Sequence, residues 1–195
     1  MSALTFAYGL AGLGYIIPAT FMPVMARAWL GEAGADSANR LLVDLFWPLF
    51  GVGVVIGALA ATRVRESVDL RGALAVCYLI QAAGVALAAG WPSPAGLALG
   101  CLLLGLPFTA MTFFAMREVR RLRPLTATRW IGLTTAVYGV GQIAGPPLAA
   151  AFVAFSGDAA EGFRASMHLA TAALLTGALV FRALMLSQPG SRPAP

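Results

Sequence analysis

Residues 72–116, GALAVCYLIQAAGVALAAGWPSPAGLALGCLLLGLPFTAMTFFAM, run for 45 positions without a charged side chain. A helix that crosses the hydrocarbon core of a bilayer needs about 17–25 apolar residues, so this run is long enough for two. Gly90-Trp-Pro-Ser-Pro-Ala-Gly96 divides it with turn-forming residues and a tryptophan of the kind found at membrane interfaces. The run therefore predicts two membrane-spanning helices joined by a short turn.

Four more uncharged runs lie on either side of this one, at residues 1–26, 45–62, 130–157 and 165–181. Only 11% of the 195 residues are charged, whereas a soluble domain carries about a quarter. We therefore predict an all-α, polytopic membrane protein, a six-transmembrane-helix bundle over residues 1–188 with a disordered tail at 189–195. The predicted helices, of which the last rests on the shortest uncharged run, cover about 3–26, 43–62, 72–89, 95–116, 130–155 and 166–186.

The thirteen basic residues are all arginine, and ten of them fall on the side of the predicted bundle that carries both termini. Arg27, Arg40 and Arg164 are the three on the other side. This positive-inside pattern predicts a multi-pass protein of the plasma (inner) membrane with both termini in the cytoplasm. The basic excess then reflects topology, so the expected partner is the lipid bilayer and not a nucleic acid.

The sequence offers little for enzymatic chemistry. It contains two cysteines and a single histidine, which predicts no metal site, and it has neither a nucleotide-binding motif nor a nucleophile–base pair. We therefore expect no cofactor, no metal and no catalytic residue, and the chain is not predicted to be an enzyme. Asp44 and Glu118 lie at helix ends, so no acidic residue is expected deep in a span.

An internal repeat relates the two halves of the chain. Five residues of the first helix recur 91 positions later in the fourth: Gly9, Leu13, Gly14, Ala19 and Met25 match Gly100, Leu104, Gly105, Ala110 and Met116. Gly53 and Gly57 of the second helix likewise match Gly141 and Gly145 of the fifth, 88 positions later. Three helices per unit predict a 3+3 inverted repeat. The alternative for each glycine pair is close packing of neighbouring helices.

Three strings together resemble the C-terminal half of the major facilitator superfamily, family helices seven to twelve, and within it the YbfB/YjiJ branch. They are GYIIPATFMP at 14–23, LGLPFTAMTFF at 104–114 and YGVGQIAGPP at 138–147. The resemblance implies half of a major facilitator fold, which transports a small-molecule substrate by alternating access together with a second six-helix bundle. That bundle is either a partner half or a second copy. The alternative is a non-transporting membrane interaction subunit, or a truncated fragment that associates with an intact transporter.

The resemblance also implies which helices line the central cavity, namely the first, second, fourth and fifth, while the third and sixth face lipid. On the lining helices the candidate substrate-binding residues are Tyr8, Tyr15, Thr109, Thr112, Phe113, Tyr138 and Gln142. For each threonine the alternative is a hydrogen bond to its own helix or to a neighbouring one. For Tyr15 and Gln142, substrate binding and helix packing have similar weight, because a phenol or amide without a hydrogen-bond partner at mid-membrane depth is costly.

Prolines and glycines supply the candidate gating or packing residues, which are Pro18, Pro23, Gly53, Gly57, Gly141, Gly145 and Pro146. Proline removes a backbone donor and clashes with the carbonyl four residues earlier, so Pro18, Pro23 and Pro107 predict breaks that serve as bend points. A static kink is the alternative. The resemblance further implies that the second and fifth helices pack across the boundary between the halves. The glycine pairs on them are therefore expected to be unsatisfied in the isolated chain.

Overall fold

The computed structural model describes residues 1–32, 44–65 and 67–187, and this part of the chain contains helices and no strand. Its α-helices are α1 (Ser2–Glu32), α2 (Phe46–Thr62), α3 (Leu70–Gly90), α4 (Pro94–Gly105), α5 (Phe108–Leu122), α6 (Ala127–Ser156) and α7 (Ala159–Ser187). α4 and α5 form one span, so the described residues make five helical segments long and apolar enough to cross a membrane, plus the shorter apolar α2. The prediction of an all-α, six-helix membrane bundle is confirmed. The predicted tail at 189–195 lies outside the described residues.

Three predicted helix ends are wrong because charged residues were assigned to loops. The first helix continues past Arg27 to Glu32 instead of ending at residue 26. The last helix begins at Ala159 instead of residue 166 and has 29 residues, although its uncharged run is the shortest. The Asp158 carboxylate accepts hydrogen bonds from the backbone N–H groups of Ala160 (2.7 Å) and Glu161 (3.3 Å), which caps the first turn. The fourth span continues to Leu122 instead of residue 116, since its charged last turns remain helical.

Side-chain caps determine where α3 and α4 begin. The Asp69 carboxylate accepts a hydrogen bond from the backbone N–H of Arg71 (2.9 Å) at the start of α3. Ser93 accepts one from the N–H of Gly96 (3.0 Å), and Pro94 occupies the first turn of α4. Asp69 thus starts α3, and Ser93 with Pro94 starts α4 within the turn that the sequence predicted between the two helices.

The spans pack in pairs that repeat between the two halves of the chain. α1 packs mainly against α6 and α7, the fourth span packs against α2 and α3, and α3 packs against α7. In span numbers, the first span contacts the fifth and sixth, and the fourth span contacts the second and third. Exchanging the two halves of the chain, so that span one becomes span four and so on, converts the first set of contacts into the second. This agrees with two three-helix units related by a two-fold axis, which is the geometry of an inverted repeat.

Glycines let α2 approach the fourth span until the two backbones touch. A β-carbon on Gly57 would overlap the carbonyl group of Leu106, and one on Gly53 would lie 2.6 Å from the carbonyl oxygen of Leu102. Both glycines are buried. Their contact surface is therefore filled by the fourth span of the same chain.

The glycines of α6 make the corresponding contact with α1. A β-carbon on Gly141 would overlap the carbonyl oxygen of Gly9, and one on Gly145 would overlap the side chain of Ile16. The prediction that both glycine pairs are unsatisfied in the isolated chain is thus wrong. Absence of a side chain shortens the distance between helices, and here the helices brought together belong to one bundle.

The prolines of α1 do not interrupt the helix. α1 is continuous through Pro18 and Pro23, and α6 is continuous through Pro146, so these prolines do not end helical structure, and their role as bend points stays a prediction. A long spanning helix tolerates a proline because neighbouring groups take over the freed backbone partners. Helical structure is interrupted instead at Leu106 and Pro107, where the chain turns between α4 and α5.

Candidate solute-facing surface

Three of the predicted site residues meet where the first, fourth and fifth spans come together. The hydroxyl of Tyr8 donates a hydrogen bond to Oγ1 of Thr112 (2.9 Å). The ring centroids of Tyr8 and Tyr138 lie 4.9 Å apart. We call Tyr8, Thr112 and Tyr138 the tyrosine cluster. It lies against a small cavity that is also lined by Phe108 and Met111.

Tyr15 belongs to an adjoining aromatic group. Its ring centroid is 4.6 Å from that of Phe108 and 5.9 Å from that of Phe50, and these two phenylalanine rings are 5.5 Å apart. The group joins the first, second and fourth spans, as the inferred lining helices require. Tyr15 is half-buried, so part of the residue remains accessible.

Thr109, Phe113 and Gln142 lie outside these contacts. Thr109 and Phe113 are exposed on α5, and Gln142 is half-buried on α6. Thr109 precedes Thr112 by three residues, and Gln142 follows Tyr138 by four, which places each on the same helix face as a member of the tyrosine cluster. We call the surface formed by Thr109, Thr112, Tyr138 and Gln142 the polar face.

Two buried polar contacts were missed by the sequence analysis. The hydroxyls of Thr5 and Thr134 are 3.1 Å apart between α1 and α6. The Tyr78 hydroxyl donates to the carbonyl oxygen of Ala7 (2.7 Å), which ties α3 to α1. Tyr78 is fully buried, so the inference that the third helix faces lipid holds for only part of its surface.

Gln81, also on α3, is the third omission. Its side chain is 1% exposed, and Nε2 donates to the carbonyl oxygen of Leu104 (3.1 Å). Gln81 lines the same small cavity as the tyrosine cluster. A glutamine in the middle of the predicted helix 72–89 was a usable signal, because an amide inside a membrane needs partners.

A charged cluster joins the third, fourth and sixth spans at one end of the bundle. The buried Arg71 donates through Nε and Nη2 to the Asp69 carboxylate (3.0 and 2.8 Å) and through Nη1 to the carbonyl oxygen of Leu184 (3.0 Å). Its Nε lies 3.8 Å from Glu118. Arg121 donates twice to Glu118 at 2.8 Å. Glu118 lies near a helix end, as predicted, but it has no exposed surface.

The charged cluster has a defined response to acid. Hydrogen bonding from the Arg71 guanidinium lowers the pKa of Asp69 below its ordinary value of 3.8. A carboxylate whose pKa is lowered on folding stabilises the protein above its unfolded pKa, and this contribution is lost as the pH falls through the folded pKa. The contact is therefore fully present at neutral pH.

A larger cavity, of about 630 Å³, lies at the other end of the bundle. Met25, Gly90, Phe163, Arg164 and His168 are among its lining residues. It is separate from the tyrosine cluster, none of whose members line it. Within the residues that the structure describes, no three side chains of His, Cys, Asp or Glu are grouped as metal ligands.

The architecture is that of a multi-pass membrane bundle with a polar, aromatic surface on its first, fourth and fifth spans. Residues 1–182 match the family described as uncharacterised MFS-type transporter YbfB, and the chain belongs to this major facilitator family. No curated protein and no solved structure matches the chain. The chain is therefore a membrane protein of a transporter family, and the resemblance seen in the sequence is confirmed at the level of the family.

Proposed function

We propose that this bundle forms one wall of a transport pathway and moves a small molecule by alternating access against a second six-helix bundle. The polar face carries the proposal. Hydroxyl and amide groups are expensive to leave in contact with hydrocarbon, so a surface bearing several of them favours water or protein over lipid. The polar face lies midway along the fourth and fifth spans, where a transported solute would bind.

Burial along the spans supports the same proposal. Within the most apolar stretch of each helix, 61% of α1 is buried inside the bundle but only 11% of α6. Large apolar side chains of α6, Val140 (64%) and Ile143 (75%) among them, are exposed. A second bundle packed against the rim of this surface would cover them and leave the polar face lining the pathway between the bundles. Alternating access then follows from rocking of one bundle against the other.

The lining chemistry suggests the kind of solute. The half-buried Tyr138 and Tyr15 offer ring faces and hydroxyl groups, and in the described part of the chain their ring contacts are with other aromatic side chains and not with charged ones. Ring faces bind apolar or cationic bodies, whereas they have little to offer an anion. We therefore assign to this wall a solute with an apolar body and a few hydrogen-bonding groups.

Transport by a Gln142→Leu variant tests the assignment of the polar face. Paired with a candidate second bundle and profiled for uptake and efflux over a panel of solutes, the variant should transport about two- to tenfold more slowly, the value of one hydrogen bond. Its abundance in the membrane should stay near that of the unchanged chain. The matched control is Ile143→Leu, which alters the neighbouring, exposed residue. Parallel losses of transport and abundance would instead mean that Gln142 serves packing.

A non-transporting interaction subunit is the second candidate, favoured by the apolar exposure of α6. It predicts that the chain co-purifies with an intact transporter and that Gln142→Leu leaves that transporter's activity unchanged. The two candidates are thus separated by the same pair of variants.

Orientation in the inner membrane, with cytoplasmic termini, is tested by labelling introduced cysteines. Pro92 lies in the exposed turn between α3 and α4, and Leu125, 98% exposed, lies between α5 and α6 at the other end. An impermeant thiol reagent added outside should label Pro92→Cys but not Leu125→Cys, since the arginine-rich end stays inside. The reverse result would invert the topology.

A further inference from the structure

One buried polar atom has no partner in the described part of the chain. Oε1 of Gln81 receives no hydrogen bond there, although the atom is buried and the residue is only 1% exposed. An unsatisfied buried acceptor costs about 1–3 kcal/mol, so proteins rarely leave one alone. The groups around Oε1 of Gln81 therefore indicate which donor completes its hydrogen bonding.

The orientation of this amide is fixed by chemistry. The carbonyl oxygen of Leu104 can only accept, and it lies 3.1 Å from the Gln81 side chain, so the NH₂ end must face it. Leu104 is in the last turn of α4, where carbonyl groups lack a helical donor. Gln81 supplies that donor, and its oxygen is left for the cavity.

The cavity beside Gln81 has the size and polarity for one small donor. Its volume is about 10 Å³, the minimum that holds a water molecule. Tyr8, Thr112 and Tyr138 line it together with Gln81, so hydroxyl groups from three spans accompany the amide of a fourth. A buried water typically makes about three hydrogen bonds to such groups.

We propose that this cavity is a binding site for one water molecule, which donates to Oε1 of Gln81 and completes its hydrogen bonding with the hydroxyls of the tyrosine cluster. The water links the first, third, fourth and fifth spans. Through Gln81 it is connected to the carbonyl oxygen of Leu104, in the last turn of α4 before the interruption at Leu106 and Pro107. The site is a property of the bundle itself and requires neither a solute nor a second bundle.

Radiolytic hydroxyl-radical labelling of the purified chain in nanodiscs tests this proposal. Ionising radiation converts a bound water into a radical in place, which oxidises the side chain beside it even when that side chain is buried. Met111 lines the cavity and is 3% exposed. Met22 is equally buried, at 3%, but it lines an apolar cavity with Met167 and Leu97. Met111 should therefore be oxidised severalfold faster than Met22.

Gln81→Leu removes the acceptor with little change in volume. It should bring the oxidation rate of Met111 down to that of Met22, and Tyr138→Phe should lower it in the same direction while keeping the ring. Equal rates for Met111 and Met22 in the unchanged chain would overturn the proposal even if both variants failed to fold. A Met111 rate that is unaltered in a folded Gln81→Leu chain would also overturn it.

Discussion

Replacing Gly57 by alanine is expected to lower the free energy of unfolding by about 3 kcal/mol, the upper end of the cost of overpacking. Replacement by leucine is expected to abolish the folded bundle. A β-carbon at this position would overlap the carbonyl group of Leu106, which is backbone and cannot rotate away as a side chain can. The second and fourth spans would then have to separate along their whole contact.

The matched control for Gly57 lies on the same helix. A β-carbon on Gly51 meets no atom within 4 Å, so Gly51→Ala should be neutral or should stabilise the helix by up to about 1 kcal/mol. Unfolding in mixed micelles of increasing denaturing detergent, followed by circular dichroism, measures both variants. Equal stability of Gly57→Ala and Gly51→Ala would contradict the observed contact between α2 and the fourth span.

Arg71→Ala is the second substitution with a large expected effect, a loss of about 3–5 kcal/mol. Arg71 is 3% exposed and bonds to Asp69, to the carbonyl oxygen of Leu184 and, more distantly, to Glu118. Its removal leaves the Leu184 carbonyl without this donor and the buried Glu118 with Arg121 alone among the residues of the charged cluster. The ends of the third, fourth and sixth spans then lose their common connection.

Two further variants separate charge from geometry in the charged cluster. Arg71→Lys keeps the positive charge but cannot form the paired hydrogen bonds of a guanidinium, so an intermediate loss is expected. Arg65→Ala removes an exposed arginine from the preceding loop and should change stability by no more than about 0.5 kcal/mol. The same unfolding assay applies. A loss for Arg71→Ala no greater than that for Arg65→Ala would contradict the structural role of the cluster.

The number of spans was predictable because the bilayer imposes a minimum length on an apolar run. Helix ends were less predictable. The charges of Asp158 and Glu118 indicate loops by composition, but in the structure Asp158 caps a helix and Glu118 is buried within a helix. Prolines illustrate the same limit. Pro107 coincides with an interruption and Pro18 does not, and only the neighbouring spans decide which freed backbone groups find partners.

Part of the candidate site was also visible in the sequence. Helical spacing placed Tyr138 and Gln142 on one face, and the family resemblance chose the spans that bring Tyr8 to Thr112. Gln81 was missed because its helix was assigned to lipid as a whole. Helix periodicity identifies which residues share one face of a helix, but it does not show which neighbouring helix covers that face. Only the packing of the helices in the structure shows this.

The proposal of a hydrated wall facing a second bundle is tested most directly by thiol accessibility in membranes of the native host. Thr109→Cys on the polar face and Leu175→Cys, exposed on α7, both lie near the middle of their spans, and Cys77 and Cys101 are replaced by alanine in each chain. A charged, impermeant methanethiosulfonate reacts only with thiols that reach water. The account predicts modification of Thr109→Cys and none of Leu175→Cys. Protection of Thr109→Cys equal to that of Leu175→Cys would place the polar face in lipid or in a dry interface and would contradict it.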